Sequence, residues 1–121
     1  MTISKGFAAE GAAAHELARK HYRILARNHH CTAGEIDIVA RDGDTIVFCE
    51  VKQRAAGREN ALLSVSHAKQ RKLVAAALHY LSLHPELDGL FTRFDVLAVV
   101  PAGQLWRVHH VEDAFRPPDE D

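Results

Sequence analysis

The hydrophobic and polar positions of the first half of the chain predict one helix and then three strands. The predicted elements are Phe7–His21, Tyr22–Ala26, Glu35–Ala40 and Thr45–Lys52. The first is rich in Ala, Leu, Arg and Lys, which favours a helix, and the others alternate or carry β-branched residues. Arg41-Asp42-Gly43-Asp44 separates two apolar runs, and an Asp-Gly pair there is typical of a β-hairpin. We predict a loop over Asn28–Gly34.

The second half predicts another helix and two more strands. Ser66 is a candidate N-cap for a helix that runs to about Leu83, where His84-Pro85 ends it. The strands are predicted at Phe91–Val100 and Leu105–Val111, and the connection at Gln53–Leu63. The apolar second half of Phe91–Val100 is typical of a strand covered on both faces. This order of elements predicts an α/β fold.

The length and composition indicate one ordinary globular domain. The chain has 121 residues, of which 47% are hydrophobic and 26% charged. We predict a domain over residues 1–116 and a disordered acidic tail over 117–121. No run of 18 apolar residues and no secretory signal pattern is present, so no membrane partner is expected. Cys31 and Cys49 are interpreted as reduced thiols, and we expect a cytoplasmic protein.

Charge is distributed unevenly along the chain, although the formal net charge is only -1. The segment from Val51 to Lys72 has a net charge of +5, whereas the residues from Glu112 onward include five acids and one base. A basic segment indicates a polyanionic partner, and a solvated charged face is an equally good explanation from charge alone. Its bases are Lys52, Arg54, Arg58, Lys69, Arg71 and Lys72.

Candidate chemistry is concentrated in the predicted hairpin. Glu50 and Lys52 share a face at the end of a strand otherwise hydrophobic enough for the middle of a sheet. Glu35 and Asp37 share a face on the partner strand, so we expect three carboxylates to converge. Oxygen ligands without Cys or His favour Mg²⁺ or Mn²⁺ over zinc. Lys52 is then placed to orient or deprotonate an attacking water, which favours phosphodiester hydrolysis.

A structural ion pair remains the alternative for Glu50 and Lys52, because such pairs are common. Glu-x-Asp, the hairpin and Glu-x-Lys together, followed by a basic segment, make the catalytic interpretation the stronger one. The adjacent His29, His30 and Cys31 are interpreted as an exposed loop feature rather than a metal site.

Several blocks in order carry a family resemblance over roughly residues 6 to 100. They are Gly6-Phe7-Ala8-Ala9-Glu10, Tyr22-Arg23-Ile24-Leu25-Ala26-Arg27-Asn28, Gly34-Glu35-Ile36-Asp37, Val47-Phe48-Cys49-Glu50-Val51-Lys52-Gln53-Arg54, Lys69-Gln70-Arg71-Lys72-Leu73 and Arg93-Phe94-Asp95-Val96. Asp37 followed by Glu50-Val51-Lys52 resembles the PD-(D/E)xK nuclease superfamily. The full set resembles the YraN family, a widespread bacterial family described as uncharacterised and related to Holliday-junction resolvases.

The resemblance implies a restriction-endonuclease-like αβββαβ core, with a mixed central sheet flanked by helices. It further implies that Asp37 and Glu50 are metal ligands, that Lys52 is the catalytic lysine, and that Glu10 reaches the metal site from the first helix. Ile36 stands where the superfamily name has Pro. The role of Glu35 is not fixed by the pattern, and Arg93 and Asp95 are interpreted as a structural ion pair.

Two functional hypotheses remain. The first is a Mg²⁺- or Mn²⁺-dependent endonuclease acting on DNA, with branched, structured or single-stranded DNA as candidate substrates. Its candidate phosphate contacts are Gln53, Arg54, Arg58, Lys69, Arg71 and Lys72. The second is a nuclease-fold module that binds nucleic acid or a protein without cutting. A resolvase-like task needs two active sites, which motivates the hypothesis of a homodimer.

Overall fold

The computed structural model describes residues 5–56 and 65–117. Its helices are α1 (Lys5–Arg19) and α2 (His67–Ser82), and a short 3-10 turn follows at Pro85–Leu87. Its strands are β1 (Arg23–Cys31), β2 (Gly34–Asp42), β3 (Thr45–Gln53), β4 (Phe91–Ala102) and β5 (Leu105–Phe115). The predicted α/β class and the predicted order of elements are confirmed.

The five strands form one mixed sheet in the order β1-β2-β3-β4-β5. Neighbours are antiparallel except β3 and β4, which run parallel and are connected through α2. The predicted hairpin joins β2 to β3, and Asp42 pairs with Thr45 at its end. Gly43 has a φ of 62°, a conformation that glycine adopts without the steric cost of a Cβ atom.

The two helices cover opposite faces of this sheet. Ala13 and Leu17 of α1 belong to one core cluster, together with Val47 of β3. Leu73 and Tyr80 of α2 belong to the other cluster. Because the middle strands are buried on both faces, their sequences are nearly continuous apolar runs.

The structure corrects several predicted boundaries. The prediction of a loop over Asn28–Gly34 is wrong, because β1 continues to Cys31 and pairs with β2 up to Gly34. Gln53 belongs to β3, and β5 extends to Phe115 beyond the predicted end at Val111. The local sequence Asn28-His29-His30 is polar and does not predict a strand. Backbone hydrogen bonds to the neighbouring strand stabilise the extended conformation there.

Some predictions concern residues outside the described ranges. They include the role of Arg58, most of the predicted connection before α2, and the tail beyond Pro117. Neither of the two described helices combines the length and the apolar character needed to cross a membrane.

Candidate functional site

Asp37 occupies an irregular position in the sheet. Among the nine residues of β2, all of which the structure describes, Asp37 alone has no cross-strand partner. Arg27 of β1 pairs with Ile38 and His29 pairs with Ile36, so neither Asn28 nor Asp37 takes part in the pairing. Asn28 has a φ of 55°, in the left-handed region. Asparagine tolerates this conformation better than most residues. The sheet is therefore distorted at the residue that the sequence predicts as a metal ligand.

The strands β2 and β3 separate at the same level. Their last pair at this end is Ile38 with Cys49, so Asp37 and Glu50 are the first residues beyond the pairing of β2 with β3, although Glu50 still pairs with Val96 of β4. The backbone N–H of Val51 donates a hydrogen bond of 2.7 Å to Oδ2 of Asp37 instead of to a carbonyl of β2. The side chain of Asp37 thus replaces a backbone carbonyl as the hydrogen-bond acceptor. The carboxyl groups of Asp37 and Glu50 lie where β2 and β3 separate.

The alternation of side chains also breaks at Asp37. Ile36 packs in the cluster on the α2 face, whereas Ile38 packs in the cluster on the α1 face. On a regular strand these two residues would point to the same face. The irregularity buries both isoleucines fully, on opposite faces of the sheet.

Several negative charges surround the Asp37 carboxyl group. Burial raises the pKa of Asp37 to about 7, although the hydrogen bond from Val51 opposes the change. The charges of Glu50, Glu10 and Glu35 raise this pKa further, in that order. The site therefore carries more negative charge than its own hydrogen bonds compensate, which is the condition that favours binding of a cation.

Glu50 lies in the second half of β3 and has a cationic partner from α2. Its Oε1 atom is 3.6 Å from Nζ of Lys69, and only 15% of the Glu50 side chain is exposed. Burial raises the pKa of Glu50, while Lys69 and Lys52 act in the opposite direction. Besides the acids of the hairpin, a lysine from α2 thus lies beside Glu50.

Lys52 is half-buried, two residues beyond Glu50 on β3. Burial lowers the pKa of Lys52, the positive charges of Arg54 and Lys69 lower it further, and Glu50 opposes them. A lysine whose pKa is lowered releases its proton more readily than a solvated lysine. This environment suits the proton-transfer role that the sequence predicts.

The other predicted acids lie at the margin of the site. Glu35 is half-exposed, and its Oε2 atom is 3.1 Å from Nδ1 of His30, its cross-strand partner. Glu10 is half-buried on α1. Among the described residues, no three Asp, Glu, His or Cys side chains are arranged so that they could hold one metal ion. Asp37 and Glu50 form the centre of the site, and Glu35 and Glu10 contribute charge around it.

A cleft opens beside these acids, between the β1–β2 turn and the first turns of α2. Its volume is about 410 Å³, and its lining includes His30, Glu35, Lys69 and Lys72. Gly34 forms its floor against α2, since a Cβ atom there would lie 2.8 Å from the carbonyl oxygen of Lys72. The cleft thus joins two of the predicted phosphate contacts to the edge of the carboxylate site.

The remaining predicted phosphate contacts are placed less centrally. Gln53 and Arg54 are half-buried at the end of β3, and the backbone N–H of Arg54 donates to the carbonyl of Val99 at 2.9 Å. Arg71 is exposed on α2, and the cleft lining does not include it.

Arg93 and Asp95 form a separate polar cluster on β4, and the predicted ion pair is confirmed. Nε and one terminal nitrogen of Arg93 bind the two carboxylate oxygens at 2.9 and 3.0 Å. Nε2 of His110 lies 2.7 Å from Asp95, and the N–H of Asp113 donates to it at 3.0 Å. A terminal nitrogen of Arg93 also donates to the hydroxyl of Tyr22. These contacts make the cluster a structural one.

Sequence reasoning missed the contacts between α2 and the hairpin. The contact of Lys69 with Glu50 and the close approach of Gly34 to Lys72 join residues 19 and 38 positions apart in the chain. Only the glycine before Glu35 gives a local signal, since glycine permits close approach of a neighbouring backbone.

Comparison with known proteins places the chain in a family. A family model described as "Uncharacterised protein family UPF0102" matches residues 9–99. A UPF0102 protein of Geobacter metallireducens is 45% identical over 113 residues, which cover 93% of this chain and 92% of that protein. A UPF0102 protein of Chloroflexus aurantiacus is 48% identical over 98 residues, 81% of this chain and 80% of that one. The relative in Nitrosococcus oceani is 39% identical over 113 residues, with coverage of 93% and 91%. The chain therefore belongs to the uncharacterised protein family UPF0102.

Proposed function

We propose that the protein is a metal-dependent endonuclease that hydrolyses phosphodiester bonds in DNA. The observation that carries the proposal is the position of Asp37, which lies at a break in the sheet, next to Glu50, with negative charge that its neighbours do not compensate. The order αβββαββ includes an αβββαβ series, which supports the likeness to restriction-endonuclease-like nucleases and, through the YraN resemblance, to Holliday-junction resolvases.

The donor set fits Mg²⁺ or Mn²⁺. Asp37 and Glu50 provide carboxylate oxygens, and Glu10 adds negative charge from α1. Two carboxylates suffice, because Mg²⁺ is usually held by one or two carboxylates together with water and substrate phosphate oxygens. When bound, such a cation supplies charge stabilisation at the phosphate and acidifies a coordinated water.

Lys52 is the proposed proton-transfer residue. Burial lowers the pKa of Lys52, which favours exchange of a proton between Nζ and the attacking water compared with a solvated lysine. In its charged form the same atom stabilises negative charge on the phosphate. Both roles require Lys52 to lie beside the carboxylates, and Glu50 is close enough to influence its pKa.

DNA is proposed to enter along the cleft beside Glu35. Lys69 and Lys72 line it and offer charged contacts to phosphates, and His30 adds a polar ring at the same opening. Gln53 and Arg54 extend this surface at the end of β3. Branched or structured DNA is the proposed substrate class, the proposed assembly is a homodimer with one site in each subunit, and the proposed location is the cytoplasm.

A binding module without nuclease activity is the second candidate. The observation that favours it is the absence of three suitably arranged metal-ligand side chains among the described residues. The contact between Lys69 and Glu50 also gives one acid a partner from within the protein. Such a module would bind DNA or a protein at the cleft and would need no cation.

Cleavage assays separate the two candidates. Purified protein with Mn²⁺ is expected to cut branched or single-stranded DNA, and Glu50→Ala or Lys52→Ala is expected to slow the reaction by about 100-fold or more. Asp88→Asn, an exposed acid that precedes β4 at the other end of the sheet, is the matched control and should retain full activity. If both site variants cut at the rate of the control, these residues do not belong to the mechanism. If calorimetry detects no uptake of Mn²⁺ at millimolar concentration, the binding module is favoured.

A further inference from the structure

We propose that Lys69 is a positioning residue that exchanges partners: it holds Glu50 when the site has no cation and moves to a DNA phosphate in the cleft when the cation is bound. This inference rests on the proposed function and adds a coupling between the two ligands. Metal and DNA would each weaken the contact that opposes the binding of the other.

The placement of Lys69 gives its ammonium group access to both partners. Lys69 lies in the first turn of α2, where its backbone N–H donates to Oγ of the N-cap Ser66 at 3.2 Å. Its side chain is 40% exposed, whereas that of Glu50 is 15% exposed. The lysine therefore reaches inward to the buried acid from a position that also lines the open cleft.

The contact with Glu50 is weak enough to be exchanged. Its length of 3.6 Å exceeds that of a strong charge-assisted hydrogen bond, and the Lys69 end of the pair is 40% exposed, so solvent screens the contact. A cation held by Asp37 as well as Glu50 gains two carboxylates, whereas Lys69 holds only one. The released ammonium group then adds to the positive charge of the cleft at the moment when DNA is to be retained.

Lys72 provides a matched control for this inference. It carries the same charge, lies three residues further along α2, and lines the same cleft. Its side chain is exposed, and the structure gives it no ion pair with Glu50. Removing either lysine changes the net charge equally, so the contact of Lys69 with Glu50 is the difference that the two variants test.

The first measurement is Mn²⁺ affinity in the absence of DNA, by calorimetry on the full chain. Lys69→Met is expected to bind Mn²⁺ about 3- to 5-fold more tightly than the unmodified protein, the range that loss of a weak ion pair can account for. Lys72→Met is expected to change the affinity by less than about 2-fold. Lys69→Arg keeps the charge and should restore the unmodified value. Circular dichroism confirms that each variant is folded.

The second measurement is affinity for a branched DNA with and without Mn²⁺, in a Lys52→Ala background that prevents cutting. The gain in DNA affinity on adding Mn²⁺ is expected to fall by about 3-fold or more in Lys69→Met and to persist in Lys72→Met. Equal effects of the two methionine variants in both measurements would overturn the exchange while leaving the metal site intact. Weaker Mn²⁺ binding by Lys69→Met would also overturn it, because Lys69 would then support the ligand rather than compete. An unmodified protein that takes up no Mn²⁺ would overturn the proposed function as well.

Discussion

Two aspartates in the same sheet differ in how their carboxyl groups are surrounded. Asp95 on β4 is 1% exposed, and its carboxylate receives hydrogen bonds from Arg93, His110 and the N–H of Asp113. Asp37 on β2 receives the N–H of Val51 and is otherwise approached by the charges of other acids. The carboxylate of Asp95 is satisfied within the protein, whereas Asp37 is the acid that we propose binds a cation.

The pKa values express this difference. Burial by itself would raise the pKa of Asp95, but hydrogen bonds from His110, Arg93 and Asp113 lower it below its usual value. Burial raises the pKa of Asp37 to about 7, and the hydrogen bond from Val51 opposes this change without offsetting it. The comparison teaches that burial of a carboxylate does not indicate a functional site unless its partners leave the charge uncompensated.

The contacts around Asp95 also indicate which nitrogen of His110 donates a hydrogen bond to it. Nζ of Lys20 lies 3.1 Å from Nδ1 of His110, and an ammonium group can only donate. Nδ1 of His110 therefore accepts, and its Nε2 carries the proton that is donated to Asp95.

Removing the carboxylate of Asp95 is expected to have the largest effect on stability. Asp95→Ala leaves Arg93 and His110 without their shared partner and should lower the free energy of unfolding by about 3–5 kcal/mol in urea titrations at pH 7. Asp88→Ala, at an exposed acid, is the control. A loss below about 1 kcal/mol would mean that the cluster is not the structural element described above.

Neutralising Asp37 is expected to raise the free energy of unfolding, in contrast to the loss at Asp95. The folded pKa of about 7 lies above the ordinary value of 3.8, so the folded state binds more protons between these two pH values. The free energy of unfolding therefore falls as pH rises through this window, and the cost is complete above about pH 7. Asp37→Asn should stabilise the protein by about 2–3 kcal/mol at pH 8 and have almost no effect near pH 3.5.

Urea titrations of Asp37→Asn at several pH values in a metal-free buffer check this expectation. Asp95 behaves in the reverse way, since the stability it contributes is present above pH 3.8 and is lost as the pH falls through its lowered folded pKa. An Asp37→Asn variant that is less stable than the unmodified protein at pH 8 would contradict the assignment of uncompensated charge.

A smaller loss of stability is expected from substitution of Gly34, the residue at which the acid-bearing strand β2 packs against α2. Gly34→Ala places Cβ 2.8 Å from the carbonyl oxygen of Lys72, so α2 must shift at a cost of about 1–2 kcal/mol. Gly11→Ala is the control, because no atom lies within 4 Å of the added Cβ and alanine favours the helix. Thermal unfolding measures both. If Gly34→Ala is neutral, α2 is not held at this distance by its backbone contact.

Much of the arrangement of the candidate site could be predicted, because it depends on residues close together in the sequence. The Asp-Gly hairpin fixes the register of β2 and β3, and this register brings Asp37 and Glu50 to the same level. The ion pair of Arg93 with Asp95 follows from their spacing on one strand. The length of β1 could not be predicted, because Asn28-His29-His30 forms a strand only through its pairing with β2.

The sequence by itself determined the helices, the hairpin and the residues available for chemistry, since these depend on propensity and on side chains a few positions apart. Only the tertiary structure decided which charges are compensated. Parallel pairing of β3 with β4, packing of α2 over the hairpin and return of β5 brought Lys69 to Glu50 and His110 to Asp95. Those contacts join distant parts of the chain, and a carboxylate's charge depends on every group folded around it.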